Sequence, residues 1–256
     1  MTFDLAVCAE MVFTDLDITE RTRRISDLGF AVEIWSFQDK DLDALAATGA
    51  TFSSMTGYLH GDLYDPDGAR EVVRTAEQAI KAAAVLGVPR LVVHPGELVD
   101  GQAARPQYRA TGEMWFSAQR GLDALGELGA DAGVTFCLEN LNTIVDHPGV
   151  PLARAKDTLA LVEAVAHPNV KMMLDLYHAQ IGEGNLVDLV RRAGDAIGEI
   201  QVADVPGRCE PGTGEIHYPA IAKALRDIGF SGTVGLEAYA SGDSEAALSA
   251  FRAAFS

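Results

Sequence analysis

The sequence predicts one (β/α)8 (TIM) barrel spanning residues 1–256, and three observations carry that prediction. Short apolar runs alternate with helical segments eight times along the chain. Its 256 residues suit the roughly 250 that such a barrel needs. Four later strands each finish on an oxygen-bearing side chain, Glu139, Asp175, Gln201 and Glu237, at intervals of 36, 26 and 36 residues. A strand, a helix and two loops fill such an interval, so consecutive parallel strands deliver one group apiece to the same end of a barrel.

Phe3 to Cys8 reads as the first strand. Thr14-Asp-Leu-Asp then leads into a helix with apolar positions at Ile18, Ile25 and Leu28, closed by Gly29 as a C-cap. Ala31 to Trp35 is the second strand, Leu42 to Ala47 a short helix, and Thr51 to Tyr58 a third strand with a polar centre at Ser53-Ser54. Asp67 to Leu86 forms an alanine-rich helix with Val72, Ala76, Ile80 and Ala83 along one side, ended by Gly87. Leu91 to Val93 is the fourth strand. A long helix between Pro106 and Gly133 carries Trp115-Phe116, a pair expected at the barrel mouth or against a neighbouring subunit. The fifth strand starts at Val134, followed by a helix from Leu152 to Ala166, the sixth strand at Val170 to Asp175 and a helix from Leu186 to Ala193. Ile197 to Val202 is the seventh strand, Tyr218 to Ile228 a helix, Thr233 to Glu237 the eighth strand, and Ser244 to Phe255 the closing helix. A doubly wound open sheet is the rival fold, but it expects a glycine-rich turn after the first strand, and Cys8-Ala-Glu-Met-Val-Phe is not one.

Composition narrows the function. No low-complexity tract or linker marks a domain boundary, and no run reaches the 18 apolar residues of a membrane span. The opening residues lack a basic segment followed by an apolar one, so the expected compartment is the cytoplasm. Cys8, Cys137 and Cys209 are odd in number and far apart, which argues against a disulfide framework. A net charge of −17 repels phosphate backbones and acidic membranes, leaving a small molecule as the expected partner, with a homo-oligomer also open.

The four strand-end groups carry the chemistry. Carboxylate and amide oxygens suit a hard divalent cation, Mg²⁺ or Mn²⁺. Residues two apart on a strand share a face, so Glu139 goes with Cys137 and Thr135, and Glu237 with Gly235 and Thr233. Both glutamates therefore point into the barrel, while Phe136, Leu138, Val234 and Leu236 meet the outer helices. Asp204 competes with Gln201 but lies on the opposite parity. Two inward glutamates beside a cation suit proton removal next to a carbonyl through an enediolate, giving an aldose–ketose isomerisation or an epimerisation. His178, three residues past Asp175, reads either as a buried structural histidine or as a substrate contact. Arg208, in the glycine-rich loop Arg208-Cys-Glu-Pro-Gly-Thr-Gly214, reads either as a surface partner of Glu210 or as a rigidly mounted guanidinium for an anionic or hydroxylated substrate. His94 is a pocket or buried group, and His60, His147, His167 and His217 are expected to stay out of the chemistry. Nucleophilic catalysis finds no candidate. Cleavage of damaged DNA would want more histidine ligands and a basic groove; a non-catalytic sugar-binding barrel is the remaining class.

Several segments are similar to the hydroxypyruvate isomerase family of the xylose-isomerase-like barrels: Phe136-Cys-Leu-Glu-Asn-Leu-Asn142, Asp175-Leu-Tyr-His178, Ile200-Gln-Val-Ala-Asp204, Pro206-Gly-Arg-Cys-Glu-Pro-Gly-Thr-Gly-Glu-Ile216 and Val234-Gly-Leu-Glu237. Glu10-Met-Val-Phe-Thr14 and Leu28-Gly-Phe30 extend the likeness over nearly the whole chain. The resemblance implies Glu139 and Glu237 as the proton-transferring pair, Glu139, Asp175, Gln201 and Glu237 as ligands of a divalent metal, and His178 and Arg208 as substrate contacts. It implies conversion of hydroxypyruvate to tartronate semialdehyde, or, within the same superfamily, ketose 3-epimerisation or 2-oxo-tetronate or tetrulose isomerisation. The chain departs from the family pattern at Ser54 to Asp62, at His94-Pro-Gly and at Ala238-Tyr-Ala after Glu237.

Overall fold

Each apolar run is too short to bury its own backbone, and pairing in parallel around a ring removes every free edge. In the computed structural model, which describes residues 2–256, the strands β1 (Asp4–Cys8), β2 (Ala31–Ile34), β3 (Phe52–Thr56), β4 (Arg90–Val93), β5 (Thr135–Glu139), β6 (Val170–Asp175), β7 (Ile197–Val202) and β8 (Thr233–Leu236) do this. They close in the order β1-β8-β7-β6-β5-β4-β3-β2, every pair parallel. The barrel predicted from the alternation is present, and the open sheet is excluded by its closure.

The helices α1 (Ile18–Asp27), α2 (Leu42–Ala46), α3 (Pro66–Leu86), α4 (Gly112–Ala132), α5 (Ala155–Val165), α6 (Leu176–Gly182), α7 (Leu186–Ala193), α8 (Tyr218–Asp227) and α9 (Ser244–Phe255) form the outer layer. Their ends follow local chemistry. Asp17, Asp65, Thr111 and Asp243 cap N-termini through their side chains, and Gly87 and Gly133 take the left-handed conformation that ends α3 and α4. Three elements have no counterpart in the sequence reading: α6, a single 3-10 turn at Gly194–Ala196, and a hairpin pairing Leu98–Val99 with Gln102–Ala103. Phe116, expected at the mouth or a subunit contact, is 70% exposed on the outer wall beside Ala69 and Val73 of α3. Among the described residues no helix is long and apolar enough to cross a membrane.

Strand registers carry one face around the ring. Val92 aligns with Cys137, Glu139 with Met173, Met173 with Glu199, Asp175 with Gln201, Gln201 with Gly235, Gly235 with Ala6, and Cys8 with Glu33. Phe136, Leu138, Val234 and Leu236, on the other face, join the large core between strands and helices. The interior holds a separate small cluster of Val92, Cys137 and Met173. Toward the strands' N-terminal ends it is polar: Glu199, fully buried, accepts from Arg90 and from the Ser54 hydroxyl, each at 3.2 Å. Such a pair is costly to desolvate and cannot lose one partner cheaply, so it fixes the lower barrel in one arrangement.

Candidate active site

Glu139 ends β5, where the chain must leave the sheet and its carboxylate clears the last layer of side chains. Its Oε2 accepts from His94 Nε2 at 3.1 Å, and His94 Nδ1 lies 3.1 Å from the Tyr58 hydroxyl. Where Glu139 is ionised, the neutral imidazole donates to it from Nε2 and accepts at Nδ1 from the Tyr58 hydroxyl, which otherwise donates to the Gly96 carbonyl at 3.3 Å. Asn140 then ties β5 to β6 with two hydrogen bonds, donating to the Asp175 carbonyl at 2.9 Å and accepting from the Asp175 amide at 3.0 Å.

Asp175 is at once the last residue of β6 and the N-cap of α6. Its Oδ1 accepts from the His178 amide at 2.7 Å, and this capping geometry is why a histidine sits three residues on. His178 is oriented in turn by Asn142. The Asn142 carbonyl oxygen accepts from the amides of Val145 and Asp146, which leaves its NH2 group to face His178 Nδ1 at 2.7 Å. Nδ1 is therefore the accepting nitrogen, and Nε2 carries the hydrogen. That Nε2 is buried, has no partner, and lies 3.9 Å from both Glu139 Oε1 and Asp175 Oδ2. Ligand-type atoms of Glu139, Asp175 and His178 all fall within 4.8 Å of one another. The tautomer makes His178 a donor to an oxygen and leaves the carboxylates as the cation-holding members of that trio.

Gln201, on β7, donates from Nε2 to Glu33 Oε1 at 2.7 Å, while its Oε1 is buried with no partner. An orphaned buried amide oxygen costs about 1–3 kcal/mol, so such an atom calls for a donor or a cation. Glu237 follows β8. Its Oε1 accepts from the Trp35 indole at 2.8 Å and its Oε2 from Arg208 at 2.5 Å.

Arg208 belongs to a loop that its neighbours hold rigidly. Asp204, the rejected competitor of Gln201, is fully buried and accepts from the backbone amides of Val205, Gly212 and Ile216. Cys209 bridges to Asp204 on one side and to Tyr239 on the other. The turn forces Arg208 to φ +54, a left-handed value rare for a side chain of this size. Its guanidinium reaches Glu237, lies 3.9 Å from Asp146 and stacks over Tyr177 at 5.0 Å, with Nε left unpartnered. The surface pairing with Glu210 does not form: Glu210 accepts from Ser241 instead.

Charge is crowded here. Burial, and then the Glu237 carboxylate, push Glu139 well above the usual carboxylate range, with Arg208 opposing. Asp175 is raised by the same two causes in the same order, and Glu33 by burial, Glu237 and Glu199. Burial pushes His94 down to about 4 and His178 well below its ordinary value, so both imidazoles are neutral at neutral pH. Burial disfavours the charge on Arg208, but Glu237 and Asp175 more than reverse this, and it stays a cation. The carboxyl groups of Glu139, Asp175 and Glu237 and the free amide oxygen of Gln201 are the kind of oxygen donors that fit a hard divalent cation.

Glu139, Gln201, Glu237, His178 and Arg208 all line one cavity of about 740 Å³, and Asp175 stands directly behind His178. Its roof is the 98–103 hairpin, joined to the loop after β5 by His147 Nδ1 donating to the Gly101 carbonyl at 2.7 Å and Gln102 donating to the Asp146 carbonyl at 3.0 Å. His147, expected away from the site, lines it, its ring 5.0 Å from that of His178. Glu33, Trp35, Tyr58 and Asp146 were not singled out in the sequence. Glu33 left one signal, a carboxylate inside the otherwise apolar run of β2.

Comparison with known proteins agrees with this fold. The family model described as xylose isomerase-like TIM barrel matches residues 16–254. A 2-oxo-tetronate isomerase of Cupriavidus necator is 34% identical over 200 residues, 77% of this chain and 74% of that protein. A human protein bearing a provisional hydroxypyruvate isomerase name is 35% identical over 177 residues, 69% of this chain but only 63% of its own length. The crystal structure titled AP endonuclease, family 2 from Brucella melitensis superposes with a TM-score of 0.82 at 27% identity, covering 98% of each chain.

Proposed function

Because this chain belongs to the xylose isomerase-like TIM barrel family, we propose that it is an isomerase that moves a proton between adjacent carbons of a small keto acid or ketose, with hydroxypyruvate to tartronate semialdehyde as the first substrate pair. Two observations support the reading: Glu139, Gln201 and Glu237 line one cavity, and ligand atoms of Glu139 and Asp175 lie within 4.8 Å of each other beside His178. Glu139, Asp175, the Gln201 carbonyl oxygen and Glu237 would hold the cation, Mg²⁺ or Mn²⁺. When bound it supplies Lewis acidity to the substrate's carbonyl and adjacent hydroxyl, which acidifies the C–H bond between them.

The chain's own groups do the rest. Glu139, raised by burial and hydrogen-bonded to a neutral His94, is suited to hold a proton near neutrality and to exchange it with carbon. Glu237, gripped by Trp35 and Arg208, keeps its carboxylate in one place on the other side of the cavity. His178 Nε2–H donates to a substrate oxygen. Arg208, with Nε free, meets a carboxylate or hydroxyl at the substrate's far end.

A second reading, a 2-oxo-tetronate isomerase or ketose 3-epimerase, draws on the cavity itself. Its volume of about 740 Å³ leaves room beyond a three-carbon acid, and among the described residues lining it Arg208 is the only lysine or arginine against Glu97, Asp100 and Asp146. A panel of hydroxypyruvate, four-carbon keto acids and neutral ketoses, incubated with Mn²⁺ in D2O, separates the readings by which one exchanges its C–H proton. The Glu139→Gln variant is expected to lose about 10²–10⁴-fold in exchange rate while keeping its fold. Exchange with none of them removes both readings.

A further inference from the structure

Glu33 has no part in the proton transfer, yet it is a carboxylate at 2% exposure in the middle of the barrel. It starts on β2 and ends on β7. Between them lie β1 and β8, aligned by Cys8 with Glu33, Ala6 with Gly235 and Gly235 with Gln201. The path crosses residue 235, which has no side chain: a Cβ there would sit 2.9 Å from Glu33 Oε2, so the end of the Glu33 side chain would have to shift. Through that gap Glu33 Oε1 accepts from Gln201 Nε2 at 2.7 Å, across 168 residues of sequence.

The consequence lies at the other end of the amide. In this pairing Glu33 Oε1 accepts, as it does both in the ionised carboxylate and in a carboxyl whose proton sits on the unpartnered Oε2, so the Gln201 NH2 group faces Glu33 and the carbonyl oxygen faces away. That oxygen is the buried, unpartnered Oε1 on the cavity wall. An amide is nearly symmetric in shape, so without an acceptor behind it the NH2 group can also turn toward the cavity. We infer that Glu33 is a positioning residue, fixing the Gln201 side chain so that its oxygen, not its nitrogen, faces the cation, with Gly235 kept bare to let it pass. The inference rests on the cation reading above.

The test is a calorimetric Mn²⁺ titration of the full chain, wild type and variants, with circular dichroism to show that each is folded. Glu33→Met keeps length and removes the acceptor. Glu33→Asp keeps the charge and withdraws it by one methylene. Both are expected to weaken Mn²⁺ binding about 10–100-fold, as lost supports of metal ligands do. Adding Gln201→Glu to Glu33→Met is expected to restore affinity, since a carboxylate offers oxygen whichever way it turns and the total charge returns to that of the wild type. The Gln201→Glu single variant measures what the added carboxylate gives by itself, and only a larger gain than that in the Glu33→Met background counts as rescue. Affinities of both single variants within about twofold of wild type, or a double variant as weak as Glu33→Met, overturn the inference while leaving the cation reading intact. Should Glu33→Met not fold, Glu33→Asp decides by the same criterion. A wild type that takes up no Mn²⁺ overturns the cation reading and this inference together.

Discussion

Glu237 has both carboxylate oxygens engaged, and the two donors differ in kind. Arg208 brings charge; Trp35 brings a neutral N–H from a side chain that also forms cavity wall. Trp35→Phe keeps an aromatic ring there and deletes the donor. A hydrogen bond to a charged group is worth about 1.5–3 kcal/mol, so kcat/KM is expected to fall about 10- to 100-fold in steady-state kinetics, with little change in thermal midpoint. At this scale the sequence was legible for position, placing Glu139, Asp175, Gln201 and Glu237 at or beside the ends of strands. It was silent where the partner is remote. Trp35 meets a residue 202 positions away and Glu33 one 168 away, and nothing in local spacing ties such residues together. His147 was hidden for the same reason: its role comes from a loop folded back against a hairpin.

Strands and long helices declared themselves because their burial repeats with a period. The elements that escaped have none. The hairpin strands hold two residues each, too few to show alternation, and α6 begins on the residue after β6 with no loop to announce it. Asp175 hides the boundary by closing the strand and capping the helix together. The loop carrying Arg208 shows the converse, since its glycines and prolines were visible while its organiser, Asp204, looked like a rival ligand. Asp204→Ala would strand three backbone N–H groups, each costing about 1–3 kcal/mol if left unpaired. The expected result is a rise in KM, a lower thermal midpoint, and faster hydrogen exchange across residues 205–216 than in the barrel strands. Unchanged exchange there would show that the loop is held by something else.

For the molecule as a whole, the acid-rich interior makes stability depend on pH in a direction set by burial. Glu33, Glu139 and Asp175 hold protons more tightly folded than unfolded, so from about pH 4 upward the unfolded chain releases protons that the folded one keeps. Stability contributed by these groups is lost as pH rises toward their raised values. His94, His147 and His178, lowered chiefly by burial, act oppositely, favouring the fold as pH climbs toward about 6.5 and adding nothing beyond. The two effects offset each other below pH 6.5, and above it the metal-free protein is expected to lose stability. A divalent cation displaces the same protons, so saturating Mn²⁺ should raise the melting midpoint more at pH 8 than at pH 5, with about 2.7 kcal/mol gained at a hundred times Kd. Equal shifts at both values would detach the cation from these carboxylates.

The lid over the chamber is built apart from the barrel. The 98–103 ribbon pairs only with itself and hangs from its neighbouring loop by His147 and Gln102, while no barrel strand registers against it. Residues can therefore be inserted or removed there without shifting any of the eight strands or the acids they carry. The reach of the chamber can thus change in the ribbon while the strand ends beneath it keep their spacing.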